Sequence, residues 1–301
     1  MIKFYSLESE RTPDFFMEVN MILYTKNFIE AKKEELKERA SKLGKIPKLV
    51  ILKANDDPAS ARYVANKRKM CQEIGIGSCI MEFNKNTTDE QIKQVIDELN
   101  SDESVTGILL QLPLYTHLHE DYLVNQICPY KDVDGFSTYN TGRLALGQPI
   151  NIPCTPLGIV NFLEFEGIDL LGKTVCIVNA SNIVGKPLAQ LLLTKGATPI
   201  ICNRNTRNIQ DKIDISDIIV TATGQANLFG FDNFWEDQIV IDVSINVGED
   251  GKLCGDLRKK EYNIMEEYGI HFTPVPGGVG PLTVITLIEQ TIKIAENNSR
   301  K

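Results

Sequence analysis

The strongest constraint on this chain is a rhythm: short apolar runs alternate with longer amphipathic stretches, in two series separated by an irregular middle. In the first series "PKLVILKA" leads into "SARYVANKRKMCQEIG", "SCIMEFN" into a helix opening at Thr88, and "TGILLQLPL" into "EDYLVNQIC". An amphipathic helix up to about Gly44 precedes them. The Thr88 helix begins with a capping box, Thr88 to Gln91, and turns Ile92, Val95, Ile96 and Leu99 to one face. Parallel strands need a crossover between them, and an amphipathic helix supplies one. The alternation therefore predicts an α/β fold whose parallel sheet is covered on both faces.

Between Lys131 and Pro156 the rhythm dissolves into "KDVDGFSTYNTGRLALGQPINIPCTP", rich in Gly, Pro, Asn and Thr, and a domain boundary is expected there. A second series begins at Gly172 with "KTVCIVNAS", a helix from about Lys186, "TPIICN", "DIIVTATG" and "QIVIDVSIN". The closing stretch "PLTVITLIEQTIKIAEN" reads as a long helix that packs back on the first domain. At 301 residues the chain exceeds one ordinary core. The expected division is residues 1–152 with 282–301 against residues 153–281.

A net charge of -8 argues against a general binder of nucleic acid or of anionic membrane, and leaves a small substrate as the expectation. The seven cysteines include no CxxC pair and several lie inside apolar runs, the pattern of reduced, buried thiols. Of the three histidines, His117 and His119 lack the neighbours of a metal site and read as surface-loop residues. The opening "MIKFYSLESERTPDFF" is a poor secretory signal and a poor transit peptide, and "TGILLQLPL" is broken by Gln111 and Pro113, far short of a membrane span. A cytoplasmic protein is expected.

Lys67 is the residue that asks for an explanation. On a helix, Tyr63, Val64, Met70, Cys71 and Ile74 share one apolar arc, and Lys67 falls near its middle. A lysine there must either run its stem along buried surface to water or offer its amine to a cleft. Gln111 interrupts an otherwise apolar run, and a buried amide needs partners, so it is a structural hub or the partner of that lysine. "DVDG" invites a calcium loop, but one starting at Asp132 would need Glu where Arg143 stands.

In the second series "VCIVNASNIVGKPLAQLLL" is a strand, a tight turn containing Ser181 and Gly185, and a helix with Pro187 in its first turn. Such a turn can accept a phosphate, although the GxGxxG fingerprint is absent and spacing alone leaves a plain strand-turn-helix open. The end of the next strand, "IICNRNTRN", carries Arg204 and no acid. If a dinucleotide binds, this charge selects NADP over NAD. "PGGVGP", with Gly277, Gly278 and Gly280, permits close approach of backbone to a ligand.

Taken in order, "DDPASARYVANKRK", "GILLQLPL", "KDVDGF", "NTGRLALG", "PCTPLGI", "ASNIVGKP" and "PVPGGVGPLTV" resemble the bifunctional methylenetetrahydrofolate dehydrogenase/methenyltetrahydrofolate cyclohydrolase family, over about Pro47 to Thr291. The resemblance implies a folate cleft between an N-terminal α/β domain and a Rossmann-type, doubly wound NADP-binding domain, with NAD as a possible alternative cofactor and a homodimer as the assembly. It implies that Lys67 is the catalytic lysine, that Gln111 tunes it, that Tyr63 stacks on the aminobenzoate ring and that Asp134 holds the pterin. Leu112, Pro113, Pro276 and Gly277 are the further folate positions it implies. For the cofactor it implies Thr155, Asn179, Ala180, Ser181, Ile183, Arg204, Ile245, Gly280 and Thr283.

Several positions depart from the family's pattern. Asn179 stands for the glycine opening the cofactor turn, where Asn tolerates a left-handed backbone better than other residues with a side chain. Ala180 stands for an arginine, Asn55 for a loop glycine, Tyr115 for a proline and Ser244 for a glycine. A shikimate dehydrogenase-like oxidoreductase and a non-catalytic nucleotide sensor are the competing classes; Tyr63 and the apolar "LQLPL" wall favour a flat aromatic ligand.

Overall fold

The computed structural model describes residues 21–248 and 250–299. Its helices are α1 (Lys26–Ser41), α2 (Pro58–Ile74), α3 (Asp89–Ser101), α4 (Glu120–Val124), α5 (Thr138–Ala145), α6 (Cys154–Phe165), α7 (Gly185–Thr194), α8 (Ile209–Asp214), α9 (Tyr262–Glu267) and α10 (Val279–Ser299). The strands are β1 (Lys48–Lys53), β2 (Gly77–Glu82), β3 (Gly107–Gln111), β4 (Thr174–Val178), β5 (Thr198–Cys202), β6 (Ile218–Thr221), β7 (Ile239–Asp242), β8 (Asn246–Val247), β9 (Leu253–Cys254) and β10 (His271–Phe272). The reading of residues 1–16 as no leader lies outside the described residues. No helix among the described residues is long and apolar enough to cross a membrane.

Both alternating series form parallel sheets, as the rhythm predicts. The first has the order β2-β1-β3, and its register sets Lys53 beside Gln111 at the carboxyl tips of β1 and β3. Beyond β3, Asp132 bridges to Ile108, so the "KDVDG" segment continues this sheet on the β3 side. Helix α2 starts because the Asp57 carboxylate accepts from Ala59 N at 2.9 Å and Pro58 comes at once after it; it stops at Gly75, whose φ of +89° suits a residue without a side chain. The capping box of α3 is present as expected, with Thr88 N donating to Gln91 Oε1 at 3.0 Å.

The second sheet has the order β10-β7-β6-β4-β5, all parallel. From β4 the chain steps outward to β5 and then returns across to β6. The carboxyl tips of β4 and β6 therefore flank the crevice where open α/β sheets bind their ligands. Helix α10 ties the two halves together: Lys32 of α1 pairs with Glu289 at 2.8 Å and Arg39 with Glu296 at 2.9 Å. On its other side α10 lies so close to α6 that a Cβ at Gly158 would stand 2.9 Å from Thr286 Oγ1. One apolar core runs from Leu49 and Ile51 of the first sheet through Ile285 and Ile288 of α10 to Ile177 and Val220 of the second.

Three features escape the sequence rhythm. The β8–β9 hairpin and β10 are two-residue strands, too short to carry a period. Residues 21–25 run beside β10, with Leu23 N donating to Phe272 O and Phe272 N to Met21 O, both at 2.8 Å. Thr25 then donates its hydroxyl to Gly278 O at 2.9 Å, pinning the "PGGVG" loop from the start of α1.

Candidate active site

Lys67 lies on the buried arc of α2, with 6% of its surface exposed. Its Nζ donates to Gln111 Oε1 at 2.8 Å, and Gln111 Nε2 donates to Leu112 O at 2.8 Å, which fixes the orientation of the amide. Burial pulls the Lys67 ammonium below its ordinary range, and the charge of Asp134 works against that pull. The same burial pushes the Asp134 carboxyl up, with Lys67 opposing. Burial thus shifts amine and carboxyl alike toward their neutral forms, the direction that suits a group meant to pass a proton. Beside them the Cys154 thiol is held well above its usual range by burial and by the Asp134 charge, so it stays protonated next to that carboxyl.

The loop that presents Asp134 is built by its neighbour. Asp132 is 2% exposed and accepts from Gly135 N and Ser137 N at 2.9 Å and from Asn140 Nδ2 at 3.0 Å. Those contacts, in place of a cation, account for the first aspartate of "DVDG". Gly135 has φ +65°, and a Cβ there would meet Asn151 O and Ile152 C at 2.9 Å, so the turn accepts glycine only.

Tyr63 is half-buried and reaches across to the second half of the molecule. A Cβ at Gly280 would stand 3.6 Å from the Tyr63 hydroxyl and 3.3 Å from Ile245 Cδ1, so α2, the loop after β7 and the start of α10 converge on that glycine. An adjoining cavity of about 130 Å³ is lined by Ser244, Ile245, Pro276, Gly277 and Gly280 among others. Thr155 and Thr283 share a hydrogen bond of 2.8 Å between α6 and α10. Leu112 is half-buried and Pro113 and Pro276 are exposed, each proline preceded by a cis peptide bond.

Around the crevice of the second sheet the cofactor positions stand as a turn. Asn179 does not take the left-handed backbone that its replacement of glycine suggested. Its side chain works instead: Oδ1 accepts from Ser181 N at 2.8 Å, Ser181 Oγ at 2.6 Å and Gly185 N at 3.0 Å, while Nδ2 donates to Ala222 O at 2.7 Å. One amide thus caps α7 and ties the tip of β4 to that of β6. Ala180 and Ser181 are half-buried, Ile183 is exposed, and Arg204 is exposed on the loop after β5 together with Arg207.

The other departures behave alike. Asn55 Nδ2 donates to Pro113 O at 2.7 Å, the Tyr115 hydroxyl to Asp56 Oδ1 at 2.9 Å, and Ser244 Oγ accepts from Gly224 N at 3.0 Å. Each joins two loops at the carboxyl ends of a sheet. Behind the second crevice, Asp242 accepts from Leu257 N, Asp256 N and Ser244 N, and Asp256 accepts from Thr223 N and Gln225 N. Burial pushes the Asp242 carboxyl up to about 7 in spite of its donors.

Sequence reasoning missed Asp242 and Asp256 as loop staples, Cys154 as the neighbour of Asp134, and Gln290. A usable signal existed for Gln290: like Gln111, it interrupts an apolar stripe, and it is 1% exposed.

Comparison with known proteins agrees with this geometry. Residues 23–134 match the catalytic domain of tetrahydrofolate dehydrogenase/cyclohydrolase, and residues 153–299 its NAD(P)-binding domain. The chain is 42% identical to the bifunctional protein FolD of Bacillus subtilis over 278 residues, covering 91% of this chain and 97% of that one. The FolD of Bacillus cytotoxicus is 41% identical over 281 residues, covering 92% and 97%. Among solved structures, the FolD methylenetetrahydrofolate dehydrogenase/cyclohydrolase of Campylobacter jejuni superposes with a TM-score of 0.88 at 42% identity, covering 92% of this chain and 99% of that one. The Trypanosoma brucei enzyme, complexed with NADP and an inhibitor, gives 0.87 at 29% identity over 94% and 99%. With both of its sheets and its convergent cleft accounted for by the two matched domains, the chain belongs to the tetrahydrofolate dehydrogenase/cyclohydrolase family.

Proposed function

We propose that this chain oxidises 5,10-methylenetetrahydrofolate to the methenyl form with NADP and hydrolyses that product to 10-formyltetrahydrofolate. The observation that carries the reading is the buried Lys67 amine bonded to Gln111 at 2.8 Å beside Asp134. In the water step Lys67, held by Gln111, exchanges a proton with the attacking water, and Asp134 keeps the pterin edge in place. Tyr63 offers its ring to the aminobenzoate, with Leu112, Pro113, Pro276 and Gly277 shaping the slot around it.

The residues at the second crevice suit a dinucleotide. The turn from Asn179 to Gly185, with Ala180, Ser181 and Ile183, would hold its pyrophosphate; Ile245, Gly280, Thr155 and Thr283 border the place for its nicotinamide. NADP bound there supplies the hydride acceptor, and NAD is the weaker alternative. Arg204, basic and without an acidic neighbour on its loop, selects the 2'-phosphate. Arg204→Ser is expected to raise the KM for NADP by about 10–100-fold, the cost of one charge-assisted bond, and to leave the KM for NAD unchanged. Equal effects on both cofactors would remove that assignment.

We keep the division into residues 1–152 with 282–301 and residues 153–281, on the support of the two separate sheets. A homodimer is proposed through β5, the edge strand among the described residues, where Ile201 and the nearby Leu193 are 42% and 62% exposed. A sedimentation mass of one chain would refute it. We further propose a cytoplasmic enzyme of one-carbon metabolism whose 10-formyl product feeds formyl transfer in purine synthesis. The deciding experiment mixes purified protein with 5,10-methylenetetrahydrofolate and NADP: NADPH should form, with methenyl absorbance rising and then decaying. Absence of both signals would overturn the reading.

A further inference from the structure

Gln290 sits on α10, buried in the apolar core. Its Oε1 accepts from Ile152 N at 2.9 Å, and its Nε2 donates to Ile152 O at 2.6 Å and to Val133 O at 2.7 Å, with Cys154 Sγ 3.5 Å away. A single amide therefore holds both polar groups of Ile152, in the segment that joins the two sheets, and the carbonyl directly preceding Asp134. Val133 is 0% exposed and Gln290 1%, so water cannot replace these bonds. Cys154 Sγ in turn donates to Val133 O at 3.4 Å.

The carboxyl of Asp134 is thus located from two sides. Asp132 fixes the chain just after it, through Gly135 N and Ser137 N, and Gln290 fixes the peptide just before it, through Val133 O. The Asp132 contacts lie within one loop and travel with it. The bridge to Ile108 ties that loop to β3, and Asn151 Nδ2 and Cys154 Sγ tie it to the linker and to α6; Gln290 refers it to α10, which also carries Gly280 and Thr283 to the opposite wall. We propose that Gln290 is a positioning residue: from the C-terminal helix it sets where the Asp134 carboxyl stands relative to Lys67 and to the second sheet. This rests on the folate reading above.

Replacement by Met keeps an unbranched chain of similar length and removes every one of these bonds. For Q290M the KM for 5,10-methylenetetrahydrofolate is expected to rise by about 10–100-fold, the scale of an ångström of misplacement, with the KM for NADP unchanged. The pH profile of methenyl hydrolysis should shift as well, because the surroundings of Asp134 and of the neighbouring Cys154 thiol change; a merely structural role would not move it. Q290E is the control that does not depend on Q290M folding. When neutral it can accept from Ile152 N and donate to one carbonyl, whereas when ionised it turns lone pairs toward Val133 O and Ile152 O. Its folate KM, relative to wild type, should fall as the pH is lowered.

Wild-type folate KM and pH profile in Q290M would overturn the proposal while leaving the enzyme's function intact. So would equal losses for folate and NADP, or a Q290E/wild-type ratio independent of pH. If wild type itself gives no NADPH, the functional reading fails separately, and a crystal structure of Q290M then decides the placement. An Asp134 carboxyl displaced from Lys67 supports it, and an unmoved one refutes it.

Discussion

Lys67→Met is expected to lower methenyltetrahydrofolate hydrolysis by about a thousandfold or more and to leave NADP-linked oxidation measurable. The two steps ask different things of the same pocket. Hydrolysis requires a proton to leave the attacking water, a task for which a placed acid–base group is worth about 10²–10⁴-fold. Oxidation requires two rings held face to face, which Tyr63, the Gln111–Leu112 wall and the second sheet continue to do without the amine. Met fills the same volume on the arc shared with Val64 and Cys71, so α2 keeps its packing. Gln111 Oε1 loses its donor, and the burial that pushes the Asp134 carboxyl up is no longer opposed by the Lys67 charge.

The pH dependence has its origin in the same shifts. A lysine whose folded pKa lies below the ordinary 10.5 supplies its neutral amine at correspondingly lower pH. Wild-type hydrolysis should therefore rise with pH through a value below 10.5, and this limb should vanish in the Met variant. Stopped-flow decay of methenyl absorbance, set beside NADPH formation in the same preparation, checks both statements. Equal loss of the two activities would remove Lys67 from the role of proton carrier.

The sequence carried the sheets because parallel strands buried on both faces leave continuous apolar runs, and their crossover helices leave a period of about 3.6. It carried Lys67 and Gln111 for a related reason: a polar residue inside an apolar pattern is conspicuous. Gln290 obeys that rule too, but it adjoins Glu289 on a helix whose other face pairs with Lys32 and Arg39, which disguises it as solvent-facing. Asp242 and Asp256 act by receiving backbone N–H groups from loops far away in sequence, and nothing in a linear pattern records which loops will meet. The departures Asn55, Tyr115, Asn179 and Ser244 were visible as letters. Their work was not, since each bonds across to a different loop and only the folded sheets bring those loops together.

Gly185→Ala is the complementary expectation: loss of NADP-dependent oxidation with methenyl hydrolysis retained. The first residue of α7 has no room for a side chain. A Cβ there would stand 2.6 Å from Asn179 C and 2.8 Å from Asn179 Oδ1, with Asn179 O nearer still. The strand cannot yield, because Val178 is paired on one side with Cys202 and on the other with Thr221, and the Asn179 amide is bonded to Ala222 O. Helix α7 must therefore withdraw, and Gly185 N loses its acceptor. Overpacking and the lost bond together cost about 2–4 kcal/mol of stability, and the turn that should receive the pyrophosphate is displaced. The KM for NADP should rise by about 100-fold or more. Hydrolysis of supplied methenyltetrahydrofolate uses Lys67 on α2, Gln111 at the tip of β3 and Asp134 on the loop beyond it, all away from the second sheet, and should keep most of its rate. An equimolar mixture of G185A and K67M, each defective in one step, should then convert methylenetetrahydrofolate to the 10-formyl product by handing the methenyl form from one protein to the other. Failure of that mixture, with each variant folded and retaining its own half-reaction, would mean that the two chemistries do not divide between the sheets in this way.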